Sequence, residues 1–397
     1  MKRTICVVTG TRAEYGLLKP LIDELQKKSS VQLRVIATGM HLSPEFGLTY
    51  REIENDGVRI DDRVEILLSS DTPIGISKSI GLGVISFAEA FERNRPDLVI
   101  GLGDRFELFA AVIAAMVARI PVAHLHGGEA TEGLIDEAIR HSITKMSHLH
   151  FTSTEEYRKR VIQLGEAPDR VFNVGAIGID SVKNMTLIPR GKLEKLLGVK
   201  FVPPTLLVTF HPVTLENRSS EAQFVEVLKA FDELAHLKLI FTKPNSDTYG
   251  RIISKLIDEF VLKNPDRAKA FVSLGHLKYL SVLKCVGGIV GNSSSGIIEA
   301  PSFKKGTVNI GDRQRGRVIA NSVINCSPTK KEIVEAIKTL LTHEFQEKLE
   351  RVENPYGQGD TSKKIAQIVY TYPLEGIIKK KFYTVSSKDE NIFHWHG

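Results

Sequence analysis

The chain has 397 residues, 42% of them hydrophobic and 25% charged, with 53 lysines and arginines against 47 aspartates and glutamates. That length carries two or three domains with cores of their own, and so ordinary a composition excludes a disordered, collagen-like or low-complexity chain. The net charge of +6 is too weak a field to argue for nucleic acid, and no aromatic-studded basic surface accompanies it; a pocket for a small anion leaves the same trace.

From the start of the chain, Met1-Lys2-Arg3-Thr4 leads into an apolar run that Gly10 and Arg12 cut short, so no signal peptide is expected. The longest uncharged apolar run, Leu108 to Ala118, is too short for a bilayer of ~30 Å, so no membrane partner is expected. Cys6, Cys285 and Cys326 lie far apart without a CxxC pair, as in a reducing cytoplasm, and Cys6 reads as a small buried hydrophobe.

Short β-branched runs alternate with helical patterns. Strands are expected at Ile5–Thr9, Leu33–Thr38, Leu98–Leu102, Val122–Leu125, His150–Thr152 and Val171–Val174. A second series follows at Leu206–Phe210, Leu239–Phe241, Ala270–Val272, Gly288–Val290, Val308–Ile310 and Ser322–Ile324. Continuous apolar strands separated by helices predict parallel sheets covered on both faces, here an α/β protein of two doubly wound, Rossmann-like domains. The joint falls at Leu187–Pro204, which gives domains over 1–186 and 187–360. Asn354-Pro355-Tyr356-Gly357 breaks the pattern before a helix over Thr361–Tyr370 and a polar tail ending His394-Trp395-His396-Gly397. Two histidines on such a tail do not make a metal site.

Open parallel sheets bind ligands beyond the carboxyl ends of their strands, so the residues directly after each strand are the informative ones. Gly10-Thr11-Arg12 opens a helix whose free N–H groups and Arg12 suit a phosphate, or it is an ordinary helix start. Asp104 follows the third strand as an acid or a helix cap, and Glu129 follows the fourth after Gly127-Gly128. On a helix near 136–148, Asp136 shares an apolar stripe with Ile139, Arg140 and Ile143, so it needs a ligand or a partner; Arg140 is the partner at hand. His211 ends the first strand of the second half, as a structural histidine or a site residue. Gly291-Asn292-Ser293-Ser294-Ser295-Gly296 is a donor-rich strand-to-helix turn without the lysine of a Walker loop, and Glu299 beyond it suits a ribose diol or a cap. Arg313, Arg315 and Arg317 follow another strand.

These stretches resemble the hydrolysing UDP-N-acetylglucosamine 2-epimerases of bacterial sialic acid synthesis. The matching segments are GTRAEYGLL at 10–18, GMHL at 39–42, GLGDRFE at 101–107, HGGE at 126–129 and the long run at 135–166. In the second half they are TFHPVTLEN at 209–217, GNSSSGIIE at 291–299 and NIGDRQRGR at 309–317. The resemblance implies the glycosyltransferase-B architecture, two Rossmann-like domains facing an interdomain cleft, with the segment 361–397 packing back on the first domain. It implies Asp104, Glu129, Asp136 and His211 as the catalytic set, and Arg12, Ser293, Ser294, Gly296, Glu299 and Arg313 around UDP. Arg105 and His41 would lie near the sugar. The loop GEATEGLIDE after Gly127 departs from the acid loop of the non-hydrolysing branch. Neither a cofactor nor a metal is implied, and the oligomer expected is a homodimer or homotetramer.

The implied reaction eliminates UDP to give a 2-acetamidoglucal and then adds water across the double bond, releasing N-acetylmannosamine. No carbonyl acidifies the C2–H, so UDP departure must lead, with carboxylates stabilising charge at C1 and one of them, Glu129 or Asp104, removing the proton. Asp136 would serve the hydration, and His211 with Arg313 would offset charge on the departing diphosphate. Two alternatives stay open: the same chemistry on a 2,4-diacetamido-6-deoxy sugar nucleotide for legionaminic acid synthesis, and a UDP-sugar glycosyltransferase on the same fold.

Overall fold

The computed structural model describes residues 2–68, 72–130, 135–212, 220–244, 250–272 and 274–386. The chain separates into two compact units. The first gathers the described residues of 2–129, 135–181 and 359–386; the second is built on those of 182–358.

In the first unit, β1 (Arg3–Thr9), β2 (Val31–Thr38), β3 (Asp62–Val64), β4 (Leu98–Leu102), β5 (Val122–Leu125), β6 (Leu149–Thr152) and β7 (Val171–Asn173) form one parallel sheet, ordered β3-β2-β1-β4-β5-β6-β7. The second unit repeats the plan with β8 (Thr205–Thr209), β9 (Lys238–Thr242), β10 (Ala268–Phe271), β11 (Gly288–Gly291), β12 (Gly306–Ile310) and β13 (Val323–Cys326), ordered β10-β9-β8-β11-β12-β13. In both sheets the order reverses beside the first strand, the Rossmann arrangement, which leaves a crevice beyond β1/β4 and another beyond β8/β11. The two Rossmann-like domains read from the strand pattern are therefore present. Strand β3, Asp62-Arg63-Val64, is absent from that reading, because two charged residues and a three-residue length leave no apolar run to detect.

The central strands are apolar throughout because helices cover both faces. On one face of the first sheet, Leu18, Leu21, Ile22 and Leu25 of the helix Arg12–Gln26 pack in one core with Ile365 and Val369 of the helix Thr361–Thr371. On the other, Phe87 and Phe91 of the helix Pro73–Asn94 meet Ala110, Ala111 and Ala114 of the helix Phe106–Val117. Helix Pro73–Asn94 is long and apolar enough to cross a membrane by length and composition, a feature that a search for uncharged runs misses because Lys78 and Glu89 interrupt it. In this fold it is a layer helix, with Phe87, Ala90 and Phe91 in the core. Cys6 lies in the same core, fully buried.

The last helix is fastened to the first unit by specific bonds. The backbone N–H groups of Thr361 and Ser362 donate to the two carboxylate oxygens of Asp180, at 2.8 and 2.6 Å. A buried carboxylate thus serves the orphan donors of a helix start whose own cap residue, Asp360, makes no side-chain cap. Beyond the helix, Lys380 Nζ bonds both oxygens of the buried Glu166 at 2.9 Å. The tail from residue 387, including the terminal histidines, lies outside the described residues.

Candidate active site

The crevice beyond β1 and β4 is lined by charged groups. Thr11 caps the helix Arg12–Gln26 by accepting from Glu14 N–H at 3.2 Å, and Glu14 reaches back to accept from Gly10 N–H at 2.8 Å. This reciprocal cap fixes the turn after β1. Glu14 is buried, and its carboxyl is pushed up to about 8, chiefly by that burial; the Gly10 bond pulls it down and the Glu107 carboxylate pushes it up. In the unfolded chain Glu14 ionises near its ordinary value of 4.5, so between there and about 8 the folded state holds the extra proton. Stability must then fall as pH rises through that window. Glu14→Gln keeps the acceptor for Gly10 and removes the titration. Relative to the wild type its melting temperature should rise from pH 5 to pH 8; an unchanged difference would refute the assignment.

Arg105, after β4, closes a two-point fork on buried Glu107, with Nε at 3.1 Å and Nη2 at 2.8 Å. Asp104 beside it accepts from Arg140 Nη2. Arg140 is itself buried in the helix Ile135–Met146 and also bonds Glu137 at 2.9 Å and the Glu129 carbonyl at 2.8 Å. The partner expected for Asp136 is thus taken by Asp104 and Glu137. Asp136 makes no ion pair among the described residues, and its carboxyl is raised, first by burial and then by the nearby Asp104 charge, while Arg140 and Arg105 oppose the shift. One structural cation therefore ties Asp104 to the Glu129 backbone, and Asp136 stands beside them biased toward its protonated form.

Glu129 is buried at the end of the turn that follows β5. Its Oε1 receives Ser153 Oγ–H at 2.9 Å and lies 3.0 Å from His126 Nδ1. The turn needs its second glycine: Gly128 sits at φ +78, and a Cβ there would lie 2.4 Å from the Tyr157 carbonyl oxygen. His124, fully buried on β5, donates Nε2–H to the Gly103 carbonyl at 2.8 Å and so supports the turn that carries Asp104. With Nε2 committed as a donor, its Nδ1 accepts from Thr144 Oγ1 at 3.1 Å, and burial holds the ring neutral, with its pKa lowered to about 3.

Two residues expected near substrate sit differently from the rest. His41 has no exposed surface; Nε2 lies 3.1 Å from Thr9 Oγ1 and Nδ1 2.9 Å from Thr49 Oγ1. It lies behind the turn after β1, where both ring nitrogens are engaged, and does not line an open surface as a sugar contact would. Arg12 is half exposed and pairs with Glu52 at 2.9 Å.

In the second unit the crevice beyond β8 and β11 centres on Asn292, a residue that the serine-rich turn masked in the sequence. Asn292 Oδ1 accepts His211 N–H at 2.7 Å, and Asn292 Nδ2 donates to the His211 carbonyl at 2.9 Å. Its own carbonyl accepts from Arg313 Nη1 at 3.0 Å and from Gln314 Nε2 at 2.9 Å. One buried asparagine therefore joins the three loops that carry His211, Ser293 and Arg313. Gly291 makes the turn possible: at φ +141, a Cβ would fall 1.9 Å from the Thr209 carbonyl oxygen. Ser293 Oγ accepts from Ser295 N–H at 3.4 Å, Ser294 precedes the short helix Ser295–Ile298, and Glu299 follows it. Gly296 packs its bare Cα against Thr307 and its carbonyl accepts from Thr307 Oγ1 at 2.8 Å. Burial, and then the Arg313 charge, lower His211 to about 4, so it is a neutral imidazole at pH 7. Among the described residues no group of three or more His, Cys, Asp or Glu side chains could hold a metal ion.

Two parallel α/β units of Rossmann strand order, each with polar loops at its switch point, are the architecture of the glycosyltransferase-B-like UDP-sugar enzymes. Residues 23–370 match the family model described as UDP-N-acetylglucosamine 2-epimerase, and the chain belongs to that family. It is 44% identical, over 87% of its own length and 89% of the relative's, to the hydrolysing GDP/UDP-N,N'-diacetylbacillosamine 2-epimerase of Campylobacter jejuni. It is 40% identical to polysialic acid biosynthesis protein P7 of Escherichia coli, over 89% and 90% of the two chains. The UDP-GlcNAc 2-epimerase of Neisseria meningitidis, solved bound to UDP-GlcNAc, superposes with a TM-score of 0.70 over 92% of this chain and 99% of that one; at 22% identity this likeness speaks for the fold.

Proposed function

We propose that this chain is a hydrolysing UDP-sugar 2-epimerase, which eliminates UDP from a 2-acetamido sugar nucleotide and hydrates the resulting glycal with inversion at C2. The observation that carries the reading is the carboxylate group beyond β4 and β5. There Glu129 accepts from Ser153 Oγ–H and lies against His126, and the Asp136 carboxyl is raised by burial and the Asp104 charge, two acids in different environments. A reaction that first removes and later returns a proton at C2 needs such a division.

Glu129 takes the C2 proton as the C1–O bond to UDP breaks, and the Asp104 carboxylate stabilises positive charge growing at C1. Asp136, whose carboxyl is raised, returns a proton to C2 while water adds at C1 and gives its own proton to the Asp104 carboxylate; Asp104 passes it back to Asp136, and Glu129 sheds the C2 proton to solvent. The Ser293–Ser294 end of the turn serves the diphosphate with its hydroxyls, with Arg313 as the cation and Glu299 on the ribose diol. Because His211 is neutral, it serves the diphosphate as an N–H donor, and the charge is met by Arg313. Arg105, locked on Glu107, lies near the sugar; His41 supports the turn after β1. The reaction is redox-neutral, so no cofactor is called for.

Two substrates deserve trial. UDP-N-acetylglucosamine, yielding N-acetylmannosamine for sialic acid synthesis, is the expectation from sequence motifs, and the Escherichia coli relative's name is in keeping with it. The relative of higher identity is named for the diacetamido sugar, which makes UDP-N,N'-diacetylbacillosamine, on the route to legionaminic acid, the first to test. Incubating the protein with each nucleotide sugar and no acceptor, and following UDP and free sugar by NMR, decides between them. Release of UDP with the free 2-epimer supports the reading. A nucleotide-linked epimer places the chain in the non-hydrolysing branch, and turnover only with an added acceptor makes it a transferase. Ile74, Leu82 and Ile85 are exposed on one face of the helix Pro73–Asn94, a surface in keeping with the expected homo-oligomer.

A further inference from the structure

His126 belongs to no role described above, yet its position is unusual in three ways. Its backbone sits at φ +64, in the left-handed region, at the start of the HGGE turn. Its Nδ1 lies 3.0 Å from Glu129 Oε1, and its Nε2 accepts a hydrogen bond from the backbone N–H of Ile177 at 3.3 Å. A backbone N–H can only donate, so Nε2 carries no proton. The ring is then the neutral tautomer with its hydrogen on Nδ1, directed at the carboxylate.

We infer that His126 is a positioning residue for Glu129: its Nδ1–H, with Ser153 Oγ–H, fixes Oε1 and aims the carboxylate for proton removal at C2. The inference rests on the proposed reaction, in which Glu129 is the C2 base. The Ile177 N–H makes the arrangement directional. Protonating His126 would set that N–H against a second N–H, so the fold favours the tautomer that donates to Glu129 without adding a cation beside it. A cation there would hold Glu129 ionised more firmly and weaken it as a base; a neutral donor orients it at smaller cost in basicity. Ser153, fully buried directly after β6, gives the oxygen its second donor. Glu129 is thereby clamped from the ends of two neighbouring strands, β5 and β6.

The residue choice can be tested cleanly because asparagine also tolerates the left-handed region, and its side-chain amide places a donor near the position of Nδ1. Glycine tolerates the backbone and supplies no donor. We expect His126→Gly to keep its fold and lower kcat about 10- to 100-fold, as a misplaced reactive group does. The acid limb of its kcat/KM profile should move to higher pH by about one unit, since Glu129 has lost a bond to its charged form. His126→Asn should restore most of kcat and return the acid limb toward the wild-type position. A purely structural role predicts no movement of the limb, and a catalytic histidine predicts no rescue by asparagine; either result overturns the inference. So does a wild-type nitrogen NMR spectrum showing His126 protonated on Nε2, whether or not the glycine variant folds. If the wild type releases no UDP from either nucleotide sugar, the proposed reaction fails first and the assignment falls with it. A normal wild type with unaffected variants rejects the positioning role alone.

Discussion

Glu129→Gln should reduce UDP release by about 10²–10⁴-fold, the usual cost of losing a general base. Exchange at C2 should fall in parallel. Glutamine matches the volume of glutamate and can still accept from Ser153 Oγ–H, so the fold should survive and the loss should appear in kcat. The size of the effect follows from the chemistry at C2. No neighbouring carbonyl acidifies that hydrogen, so a correctly placed carboxylate has little help from the substrate. Single-turnover UDP release and C2–H exchange in deuterated water should both collapse in this variant. Wild-type exchange in the glutamine variant would transfer the role to Asp104. Asp104→Asn would then be the slow variant, and Arg140, which now holds Asp104, would become the residue that positions the base.

Gly291→Ala should be the most damaging glycine-to-alanine change among the described residues. The Cβ would lie 1.9 Å from the Thr209 carbonyl oxygen, a backbone atom on the paired strand β8, and the φ of +141 is one that side chains rarely adopt. Neither rigid strand can yield without breaking the pairing. A cost of about 3 kcal/mol or more is expected, at the upper end for overpacking. The shift would also move Asn292, whose amide brackets His211 and whose carbonyl gathers Arg313 and Gln314. The expected outcome is a second unit that melts early and loses UDP affinity, measured by calorimetry with UDP as ligand. The wild-type melting temperature in this variant would show that the turn relaxes, and would remove Gly291 from the account of the site.

The strand pattern carries most of the fold because parallel sheets bury both faces, and continuous apolar runs such as Ile5-Cys6-Val7-Val8 cannot be mistaken for exposed segments. Strand β3 escapes for the opposite reason: an edge strand of Asp62-Arg63-Val64 has little apolar content to show. At the site, the acids Asp104, Glu129 and Asp136 are legible because each directly follows a strand or opens a helix. Their partners are not. That Arg140 would choose Asp104 and Glu137 over Asp136 depends on side-chain directions that helical spacing alone does not set. His126 and Asn292 sit inside motifs visible from the start, but their work depends on a left-handed backbone angle and on which loops an amide can bridge. His41 shows the converse, a histidine in a recognisable segment whose complete burial only the folded chain reveals.

In the proposed reaction UDP leaves by elimination and water then attacks the sugar carbon. The most direct measurement is the wild-type reaction run in deuterated water enriched in ¹⁸O, with both products analysed by mass spectrometry and NMR. One deuterium at C2 of a free, inverted sugar and no ¹⁸O in the released UDP are expected. Heavy oxygen in the UDP phosphate, or a free sugar that keeps its original hydrogen at C2, would contradict that reaction.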